Sequence, residues 1–132
     1  MSGAPRPGDQ LPALTKLVTQ EKITRYADAS GDHNPLHTDP QFASSTQFGG
    51  PIAHGMLVLS YLSELMTVEF GMRWLRGGRL KARFRGPARP GETVQVSGRI
   101  RRADDASLVC DLECRNDSGE MLITAEAEVP FA

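Results

Sequence analysis

An α+β fold, with an antiparallel β-sheet wrapped around one long central α-helix, is what the sequence predicts, and two patterns predict it. Between His54 and Phe70, the residues Met56, Leu57, Val58, Leu59, Tyr61, Leu62, Leu65, Met66, Val68 and Phe70 surround almost the whole helical circumference. Only Ser60, Ser63, Glu64, Thr67 and Glu69 interrupt them, and a helix apolar on nearly every side is a buried one. After Gly78 the period drops to two. Leu80, Ala82 and Phe84 share a phase, as do Val94, Val96 and Ile100; Leu108, Cys110, Leu112 and Cys114; and Met121, Ile123, Ala125, Ala127 and Val129. Each run reads as a strand with one apolar face. A helix that needs cover and a sheet with a face to bury share one packing solution, in which the sheet curls around the helix.

The links after Gly78 carry turn chemistry: Arg89-Pro90-Gly91, then Asp104-Asp105, then Asn116-Asp117-Ser118-Gly119. Links this short predict antiparallel hairpins. Upstream, Leu14 to Val18 is a candidate strand. Thr19 can cap a helix whose first turn carries Glu21, in which Ile23, Tyr26, Ala27 and Ser30 recur at helical spacing and which stops at Gly31. Asp32 to Asp39 reads as a polar loop. Asp39-Pro40 then reads as a cap and first helical position, starting a short helix through about Ser45.

At 132 residues and 39% hydrophobic content the chain suffices for one modest core, so a single domain spanning 1–132 is expected, with residues 1–10 flexible. A chain of this size gains core by pairing, so a homodimer is expected. Met1 to Gln10 has no apolar run and no stretch is long enough to span a membrane, so no signal peptide, no membrane association and a cytoplasmic location are expected. Cys110 and Cys114 lie on one strand about 13 Å apart, too far for a disulfide, and on its apolar phase; they read as core residues.

The formal net charge of -1 argues against nucleic-acid binding. From Arg73 to Arg89, however, there are seven basic residues, Arg83 and Arg85 among them, and no acidic one. They read either as a solvated strand face or as a landing strip for a phosphorylated ligand, such as coenzyme A or a phosphopantetheine carrier.

Chemistry concentrates between Tyr26 and Met56. Asp32 and His37 lie five residues apart across a segment stiffened by Pro35, so a carboxylate and an imidazole can converge on one water molecule. In isolation, an Asp beside Gly and Asn-Pro is more often a turn or capping residue than a catalyst. A second element changes the balance. Pro51-Ile52-Ala53-His54-Gly55-Met56 opens the buried helix, and a helix N-terminus presents unpaired N–H groups and partial positive charge to a thioester oxygen gaining negative charge. A zinc site built from His33, His37, His54 and Asp39 lacks the i, i+4 helical spacing of metal-binding histidines. No metal and no cofactor is expected.

Asp32-His33-Asn34-Pro35-Leu36-His37, then Asp39, Ala43, Phe48 and Pro51-Ile52-Ala53-His54-Gly55-Met56, resemble the hydratase-2 motif of MaoC-like (R)-specific enoyl-CoA hydratases, which have the hotdog fold. The resemblance spans nearly the whole chain. It implies that Asp32 and His37 are the catalytic pair and that the Gly55 backbone N–H is the oxyanion donor. It further implies that Ser63 hydrogen-bonds near the catalytic loop. Asn34 and His54 are read as supporting that loop, and Ala53, Phe48 and, from the basic stretch, Arg83 and Arg85 as substrate-binding residues. His33 is read as exposed loop; Phe42, Tyr61 and Leu65 are further pocket walls or ordinary core. The implied substrate is an acyl-CoA or acyl-carrier-protein thioester, hydrated reversibly to an (R)-3-hydroxyacyl thioester. Rival readings are a carrier-protein dehydratase, a thioesterase on the same scaffold, and a non-catalytic acyl-binding subunit.

Overall fold

The computed structural model describes residues 5–131. Its order is β1 (Gln10–Leu17), α1 (Gln20–Ser30), α2 (Pro35–Thr38), α3 (Pro40–Ser44), α4 (Gly55–Phe70), α5 (Met72–Gly77), β2 (Arg79–Phe84), β3 (Thr93–Ala103), β4 (Ser107–Asn116) and β5 (Met121–Pro130). The strands form one five-stranded antiparallel sheet in the order β1-β3-β4-β5-β2, and α4 lies on its concave face.

Alternation places the core. Val94, Val96 and Ile100 from β3, Leu108, Cys110, Leu112 and Cys114 from β4, and Ile123, Ala127 and Val129 from β5 point inward. They meet Leu57, Val58, Tyr61, Leu62, Leu65, Met66 and Phe70 of α4. Both cysteines are free and buried, as the strand phase predicted, and burial pushes the Cys110 thiol up to about 12 and the Cys114 thiol to about 11.

The helix is less completely covered than its composition suggests, because the sheet and α5 enclose only part of its circumference. Met56 is 58% exposed and Val68 71%. Past Gly71 the chain turns into α5, a helix the sequence reading did not separate, and Trp74 folds back so that its Nε1 donates to Ser63 Oγ at 2.9 Å.

The two hairpins read from Asp104-Asp105 and from Asn116 to Gly119 are present. Asp104 Oδ1 accepts from the N–H groups of Ala106 and Ser107, and Asn116 Oδ1 accepts from those of Ser118 and Glu120. The third predicted hairpin is not. β2 pairs with β5 at one edge of the sheet, while β3 lies between β1 and β4, so residues 85–92 cross the structure instead of turning back. Gly91 sits at the end of this crossing with φ 92°, where its N–H reaches the Val18 carbonyl at 2.7 Å. Pro87 and Pro90, which cannot donate to a ladder, suit such a strap.

At the N-terminal end the first strand starts earlier than Leu14, with an irregularity between Leu11 and Leu14. Gly8 and Asp9 are hydrogen-bonded to β3. The Gly8 N–H donates to the Ile100 carbonyl at 2.7 Å and the Ile100 N–H to the Asp9 carbonyl at 2.9 Å. Residues 1–4 of the segment expected to be flexible lie outside the described residues. No helix of the described residues is long and apolar enough to cross a membrane.

Candidate active site

Local hydrogen bonding shapes the polar segment after α1. Thr19 Oγ1 caps the helix start, accepting from the Lys22 N–H, and Gly31 ends it in the left-handed region at φ 80°. The chain then turns on its own side chains. The Asp32 N–H donates to Ser30 Oγ at 3.2 Å, the Asn34 N–H to Asp32 Oδ1 at 3.3 Å, and the Leu36 N–H to Asn34 Oδ1 at 3.0 Å. Asn34 thereby caps α2, a single turn that begins on Pro35 and carries His37, where a plain loop was expected. Asp39 caps α3 as the sequence predicted, accepting from Gln41 and Phe42.

The second element comes up beside this turn. The Ile52 N–H bonds the Leu36 carbonyl at 3.3 Å, and the Ala53 N–H bonds the Ala88 carbonyl of the crossing strap at 2.8 Å. The Ile52 carbonyl accepts from His37 Nδ1 at 2.8 Å. Because a carbonyl can only accept, this bond places the ring hydrogen on Nδ1 and leaves Nε2 with the lone pair in the neutral ring. His54, 2% exposed, donates from Nε2 to the Asp32 carbonyl at 3.0 Å. Its ring stacks on that of His37, with centroids 3.8 Å apart and 24° between planes, and packs against Tyr26 at 4.8 Å.

Asp32, His37 and His54 each bring a ligand-type atom within 4.8 Å of the others. The donor set does not suit a metal. A zinc ion sits about 2.1 Å from an imidazole nitrogen and in the ring plane, and no point satisfies that for two rings stacked nearly parallel. His33 and Asp39, the other residues of the imagined zinc set, are elsewhere: His33 Nε2 meets Asp28 Oδ1 at 3.0 Å on the surface, and Asp39 is a helix cap. What the arrangement can do is move protons.

The cleft holding the pair has a volume of about 250 Å³. Its walls are Tyr26 and Ser30 from α1, the Asp32, His37 and His54 cluster, and Gly55 and Met56 from the start of α4. The N–H groups of Gly55 and Met56 have no backbone partner among the described residues, so the positive end of the helix faces the space beside Asp32 and His37. A Cβ placed on Gly55 would lie 3.0 Å from Phe84 Cε1, so the Phe84 ring rests against the bare α-carbon.

Asp32, His37, His54 and Gly55 thus come together as expected, with Asn34 supporting them. Other expected contacts do not join the cleft. Ala53 is buried behind it, and Phe48 is half-buried, offering its carbonyl to Arg89 Nη1 at 2.5 Å. Ser63 is occupied by Trp74. Arg83 and Arg85 line a shallow groove with Lys81, Thr124 and Glu126, on the sheet face opposite the one Phe84 turns to Gly55. Tyr61 and Leu65 are core, and Phe42 is exposed. Tyr26, Ser30 and Met56 were missed as cleft residues, and Phe84 as a neighbour of Gly55. The signal for Tyr26 and Ser30 was their i, i+4 spacing on the helix that delivers Asp32.

Fold and site define a class: hotdog proteins, in which a sheet wraps a central helix and the helix N-terminus abuts a reactive cleft. An (R)-hydratase from A. caviae involved in PHA biosynthesis superposes with a TM-score of 0.82 at 28% identity, covering 94% of this chain and 95% of that one. The chain belongs to the MaoC-like domain family, whose model matches residues 4–114. Among curated relatives, 3-hydroxyacyl-thioester dehydratase Z of Mycobacterium tuberculosis is 35% identical over 92 residues, 67% of this chain and 61% of the relative. The (R)-specific enoyl-CoA hydratase of Aeromonas caviae is 31% identical over 119 residues, covering 88% of each. The chain therefore spans 61% of the length of the first of these relatives and most of the second.

Proposed function

We propose that the protein is a hydro-lyase that adds water reversibly to a trans-2-enoyl-CoA, giving the (R)-3-hydroxyacyl-CoA. The observation that carries this reading is the approach of the Asp32 carboxylate and the His37 imidazole across one cleft that also receives the N-terminus of α4. The names of the hydratase and dehydratase relatives support the reaction class and its stereochemistry.

The chemistry follows from the parts. The thioester oxygen docks at the Gly55 N–H, which draws charge from the carbonyl, makes C3 electrophilic and stabilises enolate character at C2. A water held by two acceptors, the Asp32 carboxylate and His37 Nε2, directs a lone pair at C3. Asp32 takes the proton as the C3–O bond forms, while His37 orients the water; the proton returns to C2 from the same side of the substrate, which makes the addition syn. Deeper burial of the thioester is not required, because attack falls on C3 and no acyl-enzyme forms.

The same reading expects a homodimer and a cytoplasmic setting. The free edge of β2 supports the first, since an unpaired strand is a template for a second chain. Two buried free cysteines suit a reducing compartment. Light scattering of the purified protein checks the dimer. For the reaction, Asp32→Asn and His37→Ala are each expected to lower hydration of a short trans-2-enoyl-CoA about 10²- to 10⁴-fold with unchanged circular dichroism. Near-native rates in either variant remove that residue from the mechanism.

A further inference from the structure

Phe84 is a large apolar side chain left 55% exposed, and Met56, immediately after Gly55, is 58% exposed. Neither position is neutral ground. Met56 lines the catalytic cleft, and the Phe84 ring lies against the Gly55 α-carbon, at the helix end where the thioester oxygen would dock. The opposite wall is Tyr26 and Ser30 with the Asp32, His37 and His54 cluster, which supplies polar and titratable groups. The cleft is therefore polar on the side of α1 and lined by Met56 on the side of α4, and the exposed Phe84 ring of β2 lies next to it, against Gly55.

We propose that Phe84, with Met56, is the wall against which the acyl chain beyond C3 packs, so that Phe84 is a specificity-determining residue that favours longer 2-enoyl groups. The inference rests on the hydratase reading of the same cleft. Two substrate arms leave the reacting centre, and their chemistry decides which takes this side. An alkyl chain gains by covering exposed aromatic and thioether surface, about fourfold in affinity for each methylene fully removed from water. A pantetheine arm carries amides and a hydroxyl that lose water without a partner on such a wall. Gly55 completes the argument. Any side chain there would displace the Phe84 ring, so the bare α-carbon keeps the apolar wall in contact with the oxyanion end of the helix.

The test is a chain-length series. Wild type, Phe84→Ala and Phe84→Leu are assayed with trans-2-enoyl-CoAs of four, six and eight carbons. The expected result is that Phe84→Ala keeps kcat/KM for the four-carbon substrate within threefold and loses at least tenfold for the eight-carbon one, and that Phe84→Leu restores most of the difference. Equal losses at all lengths overturn the proposal, whether they come with dissociation of a dimer or without it. So does a loss seen with coenzyme A thioesters but absent with N-acetylcysteamine thioesters, which assigns the wall to the pantetheine arm. Calorimetric binding of saturated butyryl-CoA and octanoyl-CoA reads the same wall without the reaction. Length-dependent weakening by Phe84→Ala in a protein that hydrates nothing keeps the wall and removes the hydratase; hydration with a length-independent response to Phe84→Ala does the reverse.

Discussion

His37 and His54 stack ring on ring, 3.8 Å between centroids, while each donates its one ring hydrogen to a different backbone carbonyl. His37 is tied to Ile52, on the loop leading into α4, and His54 is tied back to Asp32, on the loop leaving α1. The two bonds cross between the same two segments, so the carboxylate and the imidazole of the proposed acid/base pair are held by one another's neighbours.

Removing His54 should therefore misplace both partners without removing either. His54→Ala is expected to lower kcat about 10- to 100-fold with a much smaller change in KM, since an error of about 1 Å in a positioned group has effects of this size. His54→Asn, which keeps an N–H donor but no ring to stack on His37, should recover only part of the loss. Steady-state kinetics of both variants check this; a change confined to KM would place His54 in binding.

Gly55→Ala separates folding from catalysis. Alanine suits a helix better than glycine by about 1 kcal/mol, so the thermal midpoint should hold. The new Cβ would nonetheless meet Phe84 at 3.0 Å and obstruct the approach to the helix N-terminus. Alanine keeps the backbone N–H, so the loss comes from displacing the docked oxygen, and hydration is expected to fall by about two orders of magnitude, the cost of a misplacement of about 1 Å. Unfolding scans and kinetics on one preparation read both outcomes.

The two buried thiols set a limit at alkaline pH. Burial raises Cys110 to about 12 and Cys114 to about 11 from an ordinary value of 9.0. The unfolded chain loses these protons first, so their contribution to stability is intact below pH 9.0 and is lost as pH rises through the folded-state values. The thermal midpoint should fall above that point, and fall less steeply in a Cys110→Ala, Cys114→Ala double variant. At pH 8 a thiol reagent should label neither cysteine in the native protein and both after unfolding in guanidinium.

Much of this was legible in the sequence because it is local. Thr19, Asn34 and Asp39 act as caps or turn formers within three residues of their partners, and period two correctly faces Leu108, Cys110, Leu112 and Cys114 inward. What failed was non-local. A short link after β2 looked like a hairpin, but which strand β2 pairs with depends on which sheet edge is free, and β3 was already flanked by β1 and β4. The site shows the same division. The Asp32, His37 and Gly55 constellation was readable from motif spacing, whereas Phe84 reaches Gly55 only through that strand order. The period-two pattern that turns Phe84 toward Gly55 also turns Arg83 and Arg85 to the other face, which is why they do not line the cleft.

The most direct test of the acid/base assignment is the stereochemical course of hydration by the wild-type protein. Incubated with crotonyl-CoA, it should consume the conjugated enoyl thioester without releasing free thiol, and chiral analysis should return (R)-3-hydroxybutyryl-CoA. Release of coenzyme A with the double bond intact, or formation of the (S) product, would contradict the account.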